Sequence, residues 1–190
     1  MNIHSENIEG ETGIACTEMI ALVTHDNHCY IRPIKSDELD AVLDVYRQCE
    51  DFLALGPVPT ASMAMVLQDI EISHHEGGVF CGIYDAADDK MIGVVDYVPC
   101  GFEGDPHLAH LSLLMIAAPF RQQGVGRSIV EVIEQEIMKG AQVTTILSGV
   151  QVNNLQAIQF WQKQGYRIAS GPTLMPDQTT VFELRKDVNH

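Results

Sequence analysis

Two spacings of apolar residues organise this chain. Leu39, Val42, Leu43, Tyr46 and Cys49 recur every three or four positions, which predicts an amphipathic helix ending near residue 50. Ser36 is its expected N-cap, with Asp37 and Glu38 in the first turn. A second helix is expected over 61–73, between Gly56-Pro-Val-Pro-Thr60 and His74-His75-Glu76-Gly77-Gly78. Ile129, Val130, Ile133 and Ile137 mark a third over 124–139, stopped by Gly140, and a fourth covers 154–164 before Gly165. Alternating or continuous apolar runs predict strands at Cys29-Tyr-Ile-Arg-Pro33, 79–84, 91–98, 108–116, 143–150, 166–169 and 179–185. The order βααβββαβαββ implies a single α/β domain over 29–190. Residues 1–28 read as an N-terminal extension in which Ile20-Ala-Leu-Val-Thr24 fits a short strand or helix.

Composition narrows the class. With 190 residues, 46% apolar and 19% charged, the chain can bury the core of one domain. No apolar run approaches the ~18 residues of a membrane span, and the first residues carry no signal-peptide pattern. Cys16, Cys29, Cys49, Cys81 and Cys100 form no C-x-x-C pair, so reduced packing cysteines and a cytoplasmic location are expected. The net charge of −15 argues against a nucleic-acid partner, since phosphate contacts need a basic surface. Such a surface attracts cationic amines, although solubility is the plainer reason for it. His74 and His75, with Glu76, lack a third ligand and face different ways on a helix, so no metal is expected.

Chemistry concentrates in Phe120-Arg-Gln-Gln-Gly-Val-Gly-Arg127, between a buried strand and a long helix. A helix N-terminus offers free N–H groups and partial positive charge, and glycines let the backbone approach an anion. The two together suit a pyrophosphate, with Arg121 and Arg127 adding charge at the edges. The loop is neither a Walker loop nor a dinucleotide fingerprint, because Gly-Lys-Ser/Thr and a third spaced glycine are both missing. A tight glycine turn of no further meaning is the alternative.

Arg121-Gln-Gln-Gly-Val-Gly126 resembles the R/Q-x-x-G-x-G/A motif of the GNAT superfamily of N-acetyltransferases. Asn154-Leu-Gln-Ala-Ile-Gln-Phe-Trp-Gln-Lys-Gln-Gly-Tyr166 is similar to that superfamily's later motif, and the likeness in element order runs over roughly 29–186. The resemblance implies a mixed, mostly antiparallel sheet of about seven strands flanked by helices. It also implies acetyl-CoA as co-substrate, a primary amine of a small molecule as acceptor, and direct attack with both bound. A homodimer is the default expectation for similar proteins. Cofactor contacts are implied at Leu114, Met115, Ile116, Arg121, Gln122, Gln123, Gly124, Val125, Gly126, Arg127, Asn154 and Trp161. The strands at 108–116 and 143–150 are expected to splay apart around the CoA arm.

The attacking amine must lose a proton, and His110 is the expected base. Strand alternation would turn His110 and Ser112 the same way as Leu114. A structural histidine is the alternative. Asp96, Glu103, Asp105, Glu50 and Asp51 are further carboxylates expected near the cleft. Trp161 stands where many members of the superfamily have an acid tyrosine, and an indole cannot donate that proton; Tyr166 is the substitute considered. The competing function is a CoA-binding sensor or interaction module that has lost catalysis.

Overall fold

The computed structural model describes residues 21–25, 28–140 and 142–188. Among the described residues one sheet runs in the order β1-β2-β3-β4-β5-β6-β8-β7. Its strands are β1 (Leu22–Val23), β2 (Cys29–Pro33), β3 (Val79–Asp85), β4 (Met91–Val98), β5 (Leu108–Ile116), β6 (Thr145–Gln151), β7 (Arg167–Leu174) and β8 (Thr180–Asp187). The helices are α1 (Leu39–Arg47), α2 (Glu50–Leu53), α3 (Met63–His75), α4 (Val125–Met138) and α5 (Leu155–Lys163). The order agrees with the sequence pattern, with eight strands in place of about seven because β1 pairs with the edge of β2. All neighbours are antiparallel except β5 and β6. No helix among the described residues is long and apolar enough to cross a membrane.

The strands divide two apolar layers. Ile129, Val130, Ile133 and Ile137 of α4 and Trp161 of α5 pack on one face, together with Ala109 and Leu111. Val42, Val45 and Tyr46 of α1 and Val66 of α3 pack on the other, together with Met115. β4 lies between both layers and is buried along its whole length, which explains its unbroken apolar run.

Three local expectations are corrected. Ser36 is not the N-cap of α1; Glu38 occupies that place, and no side chain caps the helix. The Glu38 carboxylate is taken by a bidentate pair with Arg32, at 2.7 and 2.8 Å, and also accepts from the Lys35 N–H. Between the first two expected helices lies the further short helix α2, which is too short to show periodicity. β7 extends to Leu174, five residues past the end expected at 169. Ser62 and Asn154, by contrast, cap α3 and α5 by accepting from Met65 and Ala157 N–H groups.

The sheet is interrupted at its centre. β5 and β6 pair only from Leu108↔Thr145 to Leu111↔Ser148. Ser148 Oγ closes the fork by donating to the Leu111 carbonyl at 2.8 Å. Beyond that point the two strands carry no ladder to each other, so the expected splaying is present.

Candidate active site

The opening between β5 and β6 holds two adjoining cavities. One, of about 660 Å³, runs from Leu114, Met115 and Ile116 to Arg121, Gln122, Gly124, Gly126 and Arg127, with α5 across from them. The other, of about 710 Å³, lies between α3, the β7–β8 hairpin and α5. Phe52, Leu114, Asn154, Ala157 and Phe160 border both.

A bulge sets the direction of the β5 side chains. Asp96 pairs with Leu113 and Tyr97 with Leu111, so Ser112 is the extra residue. The alternation therefore reverses there: Ala109 and Leu111 face α4, but Leu114 and Ile116 face it too, while Leu113 and Met115 face α1. His110 and Ser112 do not share the face of Leu114, contrary to the simple alternation. The main-chain groups follow the same logic. Ala117 N–H donates back to Ile92 on β4, whereas the Ile116 carbonyl accepts from Arg121 Nε at 2.7 Å, away from β4. By alternation the N–H and C=O of Leu114 point into the opening as well.

The anion end is built by α4. Gly124 is its N-cap at φ +88°, and no side chain caps the first turn. A Cβ on Gly124 would meet nothing within 4 Å, so the space over these N–H groups is open. Gly126 serves closeness instead: a Cβ there would stand 3.4 Å from the Phe160 ring of α5. A 14-residue helix with free first-turn N–H groups suits a pyrophosphate.

The polar residues of the loop divide. Gln122, at φ +59°, and Arg127 line the cavity; Arg127 also pairs with Glu131 at 2.7 Å. Gln123 turns back to donate to the Pro119 carbonyl, and Val125 packs on the core, so neither lines the cavity. Arg121 is fully engaged: Nη1 and Nη2 hold Asp51 at 2.5 and 3.1 Å, Nη2 reaches the Gln48 carbonyl, and Nε holds Ile116. The hydrogen bonds from Arg121 keep the Asp51 carboxyl below its usual range.

Ser112 lines the 710 Å³ cavity and His110 stands behind it, with Nδ1 at 3.0 Å from Ser112 Oγ. The Phe102 ring stacks on the imidazole, 4.1 Å between centroids at 15°. Burial pushes the His110 pKa down to about 4, so the ring is neutral at pH 7. Sequence reasoning missed Phe102, because only folding brings the 99–106 loop against β5.

Known proteins share the fold. The model of the acetyltransferase (GNAT) family matches residues 39–166. The chain belongs to that family. It is accordingly an acetyl-CoA-dependent acyltransferase of the α/β GNAT fold. Solved structures agree in fold. An acetyltransferase from Thermus thermophilus superposes with TM-score 0.70 at 18% identity, covering 89% of this chain and 100% of the other. Ard1 from Thermoplasma volcanium gives 0.63 at 16%, covering 86% and 99%. The ribosomal-protein-S18-alanine N-acetyltransferase from Escherichia coli gives 0.62 at 15%, covering 85% and 95%. No curated protein matches the chain.

The remaining GNAT site candidates fall apart in space. Tyr166 lines neither cavity; it is buried against Trp161, at 4.9 Å between rings, and beside Glu134. Burial and the Glu134 charge drive its pKa far up, so it retains its proton. Asn154 borders both cavities, whereas Trp161 lines the 710 Å³ cavity and not the one at the glycine loop. Asp96 is buried on the α3 side, accepting from Ser73 at 2.6 Å. Glu103 and Asp105 are exposed on the loop, and Glu50 accepts from Ala61 N–H. Of these carboxylates only Asp51 reaches a cavity.

Proposed function

We propose that this GNAT enzyme transfers the acetyl group of acetyl-CoA to a primary amine of a small molecule, by direct attack with both substrates bound. The observation that carries the reading is the continuity of the opening. An uncapped helix N-terminus lies at one end, unpaired β5 main chain in the middle, and an acceptor cavity at the other.

In this reading the pyrophosphate sits on the N–H groups after Gly124, with Arg127 and Gln122 beside it. The pantetheine arm runs along Leu114, Met115 and Ile116, and Asn154 lies across from it. A main-chain N–H near Leu114 steadies the carbonyl oxygen as it gains charge. The amine nitrogen forms a bond to the thioester carbon, the C–S bond breaks, and CoA leaves as thiolate. Leaving as thiolate needs no acid, since a thiol pKa lies at ~8.5. Trp161 therefore serves as cavity wall. The ammonium first gives one proton to water as the amine settles against the thioester. After attack the second proton on nitrogen, now far more acidic, passes to Ser112 Oγ, whose own proton goes to His110 Nδ1, the acceptor in the Nε2–H tautomer. A neutral, desolvated imidazole accepts that proton briefly and yields it to solvent.

The test is His110→Gln, which keeps a polar partner for Ser112 but cannot take up a proton. Thiol release should fall by roughly 10²–10³ in kcat while acetyl-CoA binding is retained. An unchanged kcat removes His110 from the mechanism. CoA binding with no thiol release for any amine, in the native protein, would favour the sensor.

The names of two structural neighbours favour a second reading. Both the Escherichia coli protein and one from Brucella melitensis are named as ribosomal-protein alanine N-acetyltransferases. A peptide N-terminus is the corresponding acceptor here.

A further inference from the structure

The two cavities differ in charge. The cofactor cavity carries Arg121 and Arg127 against one carboxylate, Asp51. Among the described residues lining the acceptor cavity there is no lysine, arginine or histidine, and Asp177 is the one charged side chain. Its walls are largely apolar, with Ile72 of α3, Trp161 of α5 and Met175, Pro176 and Val181 of the β7–β8 hairpin. Asp177 is held in place by its own turn: Oδ1 accepts from the Thr179 N–H at 2.9 Å and from Thr179 Oγ1 at 2.7 Å.

We propose that the acceptor is a primary amine on an apolar skeleton that carries no anionic group. The proposal rests on the acetyl-transfer reading of this site and names its substrate class. Three physical points carry it. A cavity of about 710 Å³ has room for a small molecule and offers the skeleton apolar walls. A carboxylate beside the amine, as in a free amino acid, would be desolvated next to Leu113 and Leu114 with no cation to pair it. A carboxylate or phosphate at the far end of the skeleton would meet Asp177 instead, and like charges repel. A peptide is disfavoured through its terminal carboxylate, since the uncharged Gln68, Gln151 and Asn154 of the lining could bond its main chain but no lining cation pairs that charge. Asp177 excludes anions and draws the ammonium form toward the cavity.

Trp161 gives a direct readout, because it is the chain's one tryptophan and forms part of the cavity wall. With saturating CoA present, Trp161 emission is titrated with 2-phenylethylamine, phenylalanine, hexylamine, the α-carboxylated counterpart of hexylamine, and an alanine-initiated pentapeptide. Thiol release from acetyl-CoA is followed for the same compounds. The two uncharged-tail amines should give saturable emission changes. Their kcat/KM should exceed that of the carboxylated partners by roughly 100-fold or more, the scale on which a site rejects an unpaired buried charge. Asp177→Asn keeps Oδ1 for the Thr179 turn and removes the charge. It should weaken binding of the simple amines about threefold, as an exposed charge does.

Equal or better binding by the amino acids or the pentapeptide overturns the proposal, as does the lack of any saturable change with the simple amines. Preferential binding of the simple amines without thiol release would leave this substrate class standing and sink the acetyl-transfer reading. Transfer to amino acids alone would do the reverse.

Discussion

His110 shows how a single side chain is prepared by its surroundings. Its neighbours are an aromatic plane, Phe102, and one hydroxyl, Ser112, and no carboxylate is among the causes of its shift. Burial alone lowers its pKa from the usual ~6.5 to about 4. Between those values the unfolded chain binds a proton that the folded one does not. Stability is therefore lost as pH falls from ~6.5 toward 4, by up to roughly 3 kcal/mol at the lower end. Removing the cover should reverse this. Phe102→Ala should raise the His110 pKa toward ~6.5, visible in the imidazole NMR shifts. The lower limb of the pH profile for kcat/KM should move up with it, and the acid sensitivity between pH 6.5 and 4 should shrink. An unshifted imidazole titration would show that the stacked ring does not govern the base.

Little of this site was legible residue by residue. The candidate base could be named from its place in a strand, but its partners could not. Phe102 lies in a loop whose positive-φ residues Gly101, Glu103 and Gly104 let it fold back on β5. The reversal at Ser112 depends on how β5 pairs with β4, and no local pattern records a pairing register. Tyr166 illustrates the opposite error. Its place in a motif made it a candidate, yet the chain turns after α5 and buries its ring beneath Trp161.

Among the elements, the boundaries of β2, β4 and β5 could be read from the apolar pattern, because each is buried enough for the pattern to be strict. The element that escaped, α2, matters to the cofactor end. Asp51 of α2 and Arg121 of the loop are 70 residues apart in sequence and form a two-pronged ion pair. Asp51 is two-thirds exposed, so the pair adds little to stability. Its larger effect is on ligand charge, since it occupies a guanidinium that an incoming pyrophosphate would use. Asp51→Asn should free Arg121 and tighten acetyl-CoA binding about threefold by calorimetry. A weaker affinity in that variant would mean that Asp51 holds the loop in its binding shape and does not compete with the ligand.

For the molecule as a whole, the order of helices and strands anticipated an α/β domain and the glycine loop an anion site, while the GNAT fold and acetyl-CoA were implied by the resemblance of the motifs at 121–126 and 154–166. The domain class and the anion site follow from local chemistry: apolar period and the free N–H groups of a helix start. The acceptor cavity was not legible, because α3, α5 and the β7–β8 hairpin contribute to it from distant parts of the chain. Charge poses its own demand on the folded protein. An enzyme of net charge −15 must bind a polyanion through local groups against its overall field. On the mechanism drawn above, the open first turn of α4 supplies those groups. The decisive experiment is calorimetric titration with acetyl-CoA of the native protein and of Gly124→Glu, with circular dichroism confirming that the variant folds. Saturable one-to-one binding is expected of the native protein, and at least a tenfold loss, of order 1.4 kcal/mol, in the variant. Native protein that fails to bind, or a folded variant that binds equally well, would show that the first turn of α4 is not the anion site.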